Sequence, residues 1–267
     1  VCCLVMAAAS IGGMALAASP QATYEEAARN MAAHPQGSYT LKLGLKMPFV
    51  GEGAVVNNID VQERPFVIQS QAKVTGFAAT TMKKVPEGKA YAVQNGKKID
   101  VYYQEDGDEW EKKSYDLKDS KPLADYLRQD YNVLAGVKKV TAAGGNDYNV
   151  VFDASHIYNP ADQAQWKKNG MTAEQIRVMT KVLQGLQQCG DLSTVVTIDP
   201  ATKRISRISL PLTDQLRSLA LTLVDEYGRS VAQSFIKMSE VSLTIDCTAL
   251  PQGTQLTVPE KVIKSAK

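Results

Sequence analysis

The side chains able to do chemistry are few and scattered along this sequence. His34 and His156 are its two histidines, far apart and at predicted loop or helix-end positions. A zinc centre draws three or four nitrogen, sulfur or oxygen ligands at short spacing, and no such cluster is present. Both histidines read as surface side chains, and no metal is assigned. No G-x-S-x-G elbow, phosphate-binding loop or dinucleotide glycine fingerprint occurs, and no cofactor is assigned. Glu105, Asp106, Asp108, Glu109 and Glu111 form the densest acidic stretch. Calcium loops need a distal glutamate that this stretch lacks, so it reads as a solvated hairpin tip turned by Asp106-Gly107. Paired carboxylates of a glycoside hydrolase assemble in space and leave no local pattern. A hydrolase using an acidic pair therefore stands as the third functional reading, with no catalytic residue assigned.

Cysteine chemistry depends on compartment. Residues Val1 to Ala18 carry no charge, and Leu4 to Ala17 are almost all apolar or small, ending in Ala15-Leu16-Ala17. That is the apolar core and A-x-A cleavage site of a secretory leader, shorter than the ~20 apolar residues that span a bilayer. The expected division is a signal peptide over 1–17 and one domain over 18–267. The start, Val1 without a basic segment, reads as cropped. Cys2 and Cys3 precede the apolar run, whereas a lipid-attachment cysteine follows it, so they read as leader filler and the product as unanchored. Cys189 and Cys247 remain and, in an oxidising compartment, are a disulfide candidate. The expected location is exported, in a periplasm or outside the cell. With 30 basic and 28 acidic residues well mixed along the chain, there is no basic stripe for nucleic acid.

What remains distinctive is apolar patterning, and strands must position it. Tyr39, Leu41, Leu43, Leu45 and Met47 alternate with Thr40, Lys42, Gly44 and Lys46, predicting a half-buried strand. Val55 to Val61 and Phe66 to Val74 alternate likewise. Thr80 to Val85, Lys89 to Gln94, Ile99 to Tyr103 and Glu109 to Tyr115 continue the series, with Asn95-Gly96 a hairpin turn. Strands joined this closely are antiparallel neighbours. A short helix precedes them, with Thr23 and Glu26 as a capping box and Ala27, Ala28 and Met31 as its apolar side. The middle turns helical around Leu123 to Leu134, gives strands near Lys138 to Ala142 and Tyr148 to Asp153, then helices from Asn159-Pro160 to Gly170 and from Thr172 to Gly190. The second helix carries an apolar stripe of Ile176, Met179, Leu183 and Leu186. Strands at Leu192 to Ile198 and Arg204 to Leu210 follow, then a helical pattern over Thr213 to Phe235, a strand through Val241 to Cys247 and a short strand near Gln255 to Val258.

The fold class is α+β: about ten antiparallel strands with helices grouped between two β sections, best explained as one strongly curved sheet with helices over its concave face. Small residues on that face, Ser70, Ala72 and Ala79, leave room for a cavity. Leu41, Leu43, Leu45, Ile68, Ala72, Met179 and Leu183 are the candidate ligand-binding residues. The competing reading is that helix side chains fill the space as an ordinary core.

Particular segments carry a resemblance: Tyr102-Tyr103 with Trp110-Glu111-Lys112 after the turn, Val195-Val196-Thr197-Ile198-Asp199-Pro200, and the closing Val258-Pro259-Glu260-Lys261-Val262. In that order the chain resembles the LolA/LolB-like superfamily of exported carriers, and within it the uncharacterised branch related to LppX and LprG. The resemblance implies a half-barrel whose helices form a lid over an apolar cavity. It also implies a non-enzymatic, monomeric protein that shields a lipid or lipoprotein acyl chain and meets an envelope protein partner. The second reading is an envelope scaffold of the same fold with a filled core.

Overall fold

The computed structural model describes residues 18–47, 49–81, 87–105, 107–116, 136–156, 158–168, 171–214 and 239–267. The expected leader over Val1 to Ala17, the predicted helix over Leu123 to Leu134, Asp106, Gly170 and most of the predicted helix over Thr213 to Phe235 lie outside them.

The chain begins with helix α1 (Pro20–Ala33). Ser19 is its N-cap, accepting a hydrogen bond from the Ala22 amide, and Pro20 occupies the first turn, where its missing N–H costs nothing. The Thr23–Glu26 capping box is therefore not the cap. Thr23 sits one turn inside the helix and donates its hydroxyl to the Ser19 carbonyl.

Strands β1 (Gly37–Met47), β2 (Gly51–Gln62) and β3 (Val67–Gly76) follow as an antiparallel meander. The sequence predicts a further strand from Thr80, but helix α2 (Phe77–Thr81) stands there, and the rest of that span is outside the described residues. The cause is Gly76, at φ 69°, where a side-chain Cβ would meet the Glu52 carbonyl at 2.1 Å. The chain turns there, and Thr80 bonds back to the Phe77 carbonyl. Ala79 accordingly belongs to a helix and not to the sheet.

Next come β4 (Glu87–Asn95), β5 (Lys98–Glu105), β6 (Glu111–Asp116), β7 (Val137–Gly144) and β8 (Asp147–Phe152), then a 3₁₀ turn at Ala154–His156. Helices α3 (Asp162–Lys168) and α4 (Ala173–Gln188) precede β9 (Leu192–Asp199), β10 (Arg204–Pro211), β11 (Glu240–Thr248) and a last helix, α5 (Glu260–Ser265). No strand forms at Gln255 to Val258. The buried Leu256 gives its amide to the Gln62 side chain instead of to a neighbouring strand.

All eleven strands form one open antiparallel sheet in the order β6-β5-β4-β3-β2-β1-β11-β10-β9-β8-β7. It is two meanders joined where the first strand pairs with the last, from Ser38 opposite Thr248 to Lys46 opposite Glu240. The turns at the Gly37 end of the strands are short: 63–66, 96–97, 145–146 and 200–203. Of the long connections, 77–86, 153–191 and 212–239 leave from the Met47 end, whereas 117–136 leaves β6 at the Gly37 end.

α1 lies on the apolar face. Tyr24, Ala27 and Ala28 are buried with Val140 of β7, Val150 of β8, Val196 and Ile198 of β9 and Ile205 of β10. Met31 and Ala32 of its last turn also border a cavity together with side chains of β1, β2 and β3. Eight adjacent strands from β3 to β7 would span roughly 34 Å if flat, but a helix of 14 residues is only about 21 Å long. The sheet therefore curls around α1. α3 and α4 instead pack on each other and on the 3₁₀ turn, with Gln187 bonded to the Ser155 carbonyl. The opposite face is covered in part by α5, whose buried Val262 borders a groove with Gln69, Tyr91 and Trp110, while the buried Leu256 bonds to Gln62. Lys267 fastens this segment by donating its amide to the Trp110 carbonyl and accepting from the Lys112 amide.

Candidate functional site

The pairing register turns the alternation of each strand into rows across the sheet. In one row Cys247, Tyr39, Ile59, Ser70 and Ala90 are successive partners. In the next, Ile208, Ile245, Leu41, Asn57, Ala72 and Gly88 follow one another. Large side chains on β1, β2 and β11 thus give way to small ones on β3 and β4, so the apolar face does not fill itself. Two polar side chains on this surface meet each other, the Ser70 hydroxyl donating to Asn57 Oδ1 at 2.9 Å.

The space left over is an apolar cavity of about 270 Å³. Its floor is Tyr39, Leu41, Ile59, Val61, Ile68, Ser70 and Ile245, and its roof is Met31, Ala32 and Pro35 from the end of α1. Beyond Leu41 the same face continues to Leu43 and its partner Val55, which keep 42% and 46% of their surface exposed although both are aliphatic. A partly open apolar pocket beside an exposed apolar strip on the same face suits a ligand longer than the pocket itself.

Of the predicted ligand-binding residues, Leu41 and Ile68 line this cavity. Leu43 lies on the exposed strip, and Ala72 is half-buried in the row below. Leu45, at the Met47 end, borders a separate groove of about 580 Å³ among Lys46, Glu52 and Glu240. Met179 and Leu183 are on α4, the first exposed and the second half-buried, and neither borders the cavity. The sequence reading missed the contribution of α1. The signal was the Ala27, Ala28, Met31 side, which packs the helix flat on the sheet and brings its C-terminal turn over β1 and β2.

Cys189 and Cys247 are separate thiols, which corrects the disulfide expectation. Cys189 follows α4 where the chain enters β9, at the Met47 end of the sheet. Cys247 lies near the far end of β11, paired with Tyr39. The length of β11 separates them by far more than the ~7 Å that a disulfide allows between Cα atoms. Burial pushes the Cys247 thiol up to about 11, against the opposing pull of the Arg204 charge.

Arg204 begins β10 beside the end of α1. Its Nη2 donates to the carbonyls of His34 and Gln36 at 2.8 and 3.2 Å and lies 3.8 Å from the Met31 sulfur. Its Nε is buried and has no acceptor among the described residues. Tyr39 lines both the apolar cavity and a second recess of about 490 Å³ whose lining includes Asp199, Thr202, Arg204 and Cys247.

Among the described residues no group of three or more His, Cys, Asp or Glu converges as a metal site. His34 caps the C-terminus of α1, and His156 ends the 3₁₀ turn. Two carboxylates do come together on Lys138, with Asp191 at 2.9 Å and Asp153 at 3.5 Å. Hydrogen bonds from Lys138 and the Ala154 amide hold the Asp191 carboxyl below its ordinary range; bonds from Ser155, helped by Lys138, do the same for Asp153. A general acid needs the opposite shift. No helix among the described residues is long and apolar enough to cross a membrane. No family model matches the chain, and a search of the curated proteins finds no match.

Proposed function

We propose that this protein is an exported, non-catalytic binding protein that shields an apolar chain, a lipid or the acyl group of a lipoprotein, on the concave face of its sheet. The observation that carries the reading is the apolar cavity between α1 and strands β1, β2, β3 and β11, beside the exposed strip at Leu43 and Val55. Shielding needs no catalytic residue, because burial alone contributes about 0.8 kcal/mol per methylene. At about 270 Å³ the cavity falls just under the ~300–1,000 Å³ of small-molecule sites, which favours a single chain over a bundle of them. An envelope partner would deliver or take the ligand. The LolA/LolB-like resemblance is of the same kind.

Titration with straight-chain ligands of increasing length, followed by calorimetry or by displacement of an apolar fluorophore, tests this. Kd is expected to fall about fourfold for each added methylene, the equivalent of 0.8 kcal/mol, until the cavity and strip are filled. Ile68→Trp, which fills the cavity from its floor, should abolish that dependence while the protein stays folded by circular dichroism. Absence of binding at any chain length would leave the alternative, an envelope scaffold whose apolar face is an ordinary core.

A further inference from the structure

The apolar cavity says what the ligand's tail is, and the side chain at its end speaks to the head. Arg204 touches Met31, part of the cavity roof, and lines the second recess, which Tyr39 also borders. Its guanidinium is only partly used. The bonds to His34 and Gln36 both come from Nη2, whereas the buried Nε–H has no acceptor among the described residues. A buried donor of a charged group left unpaired is destabilising, and an incoming anion would relieve it. Asp199, the cross-strand partner of Arg204, also lines the recess, but its carboxylate accepts from the Ala201 amide at 2.9 Å and the Thr202 hydroxyl at 2.8 Å and forms no ion pair with Arg204. Asp246, on the strand that carries Cys247, pairs with Arg207. The charge of Arg204 is therefore not neutralised by a carboxylate in the described structure around it.

We propose that the ligand is a single-chain amphiphile with an anionic head: its apolar chain occupies the cavity between Tyr39 and Ile68, and its head group accepts from Arg204. This rests on the chain-binding reading above and adds a head-group preference to it. Arginine suits the task because its charge persists at every physiological pH and its planar N–H groups match carboxylate and phosphate oxygens. The recess beside Tyr39 gives the head group room that the 270 Å³ cavity itself does not.

The test compares three ligands of equal chain length, dodecanoate, dodecyl phosphate and dodecanol, by calorimetry on the unaltered protein and on Arg204→Met. The expected result is that at least one anionic ligand binds the unaltered protein ten- to a hundredfold more tightly than dodecanol. Arg204→Met should remove that preference, so that the three ligands bind it with affinities within about twofold of one another. The more tightly bound anion identifies the head group as carboxylate or phosphate. Equal affinity for all three ligands would overturn the head-group assignment and leave the chain-binding reading standing; binding of none would overturn both. Should Arg204→Met lose its fold with its bonds to His34 and Gln36, the three-ligand comparison on the unaltered protein still decides. Arg204→Lys, which keeps the charge without the Nε donor, should then give an intermediate preference.

Discussion

Asp100 is a carboxylate with 4% of its surface exposed, in the middle of β5. It is held by the Ser114 hydroxyl at 2.5 Å, Lys112 Nζ at 3.0 Å and the Asn95 amide at 3.3 Å. Burial opposes its ionisation, but the three donors outweigh burial and keep its carboxyl below the usual range; the same contact raises the Lys112 ammonium. A carboxyl lowered by folding stabilises the native state above its unfolded value, ~3.9. That contribution is lost as pH falls through the lower folded value. Asp100→Asn is expected to cost about 2 kcal/mol at pH 7, measured by urea unfolding, with the gap to the parent protein narrowing below about pH 4. A gap that stays constant down to pH 2 would mean that the charge of Asp100 does not matter. Nothing in the local sequence announces this aspartate. Its partners come from a hairpin turn and a neighbouring strand, and only the register of β5 with β6 brings them together.

At the scale of elements, the β1 pattern was legible because one face is apolar and the other polar, so a period of two can mean only one thing. Helix ends were less so. Thr23 and Glu26 have the right spacing for a capping box, yet Ser19 wins because Pro20 can take only an early position in the helix. Ser19→Ala should cost about 1 kcal/mol of stability and, by loosening the first turn of α1, weaken chain binding only modestly. Ser19→Asp should restore the stability. A thermal melt of the three proteins is enough to check the order. The α2 segment and the stretch after Thr248 were misjudged for a common reason. β-branched residues such as Thr80, Thr81 and Val258 favour strands in general, but a strand exists only where a neighbour offers a ladder. The cavity was half legible: the small residues of β3 showed that space would remain, while the choice of α1 as roof depends on how far the sheet curls.

At the scale of the whole molecule, eleven strands in one meandering order leave β6 and β7 as the two edges. Ten antiparallel pairings separate them, so both run in the same direction, and closing the sheet would require a parallel pair that no described ladder makes. An odd meander stays open. All six residues of β6 are exposed, whereas β1 is paired along both sides. Native-state hydrogen exchange should therefore rank the amides, with those of β6 opening locally and exchanging roughly a hundredfold faster than those at the centre of β1 and β11. Similar rates in both places would mean that the sheet opens as one unit.

The pairing of β1 with β11 brings together residues as distant in the chain as Tyr39 and Cys247. Contacts of that separation are the slowest to form, because the chain must close a long loop before anything rewards it. The cavity floor lies almost wholly on the first meander, with Ile245 contributed by the second, while the roof helix α1 packs on the second, so neither half on its own offers a complete cradle. Until the first and last strands meet, each would present a raw apolar face to anything nearby. Once they meet, the greasy surface becomes an interior. Ligand uptake thus certifies that the chain has finished folding, and an amphiphile supplied during refolding should act on the final step by trapping the joined sheet.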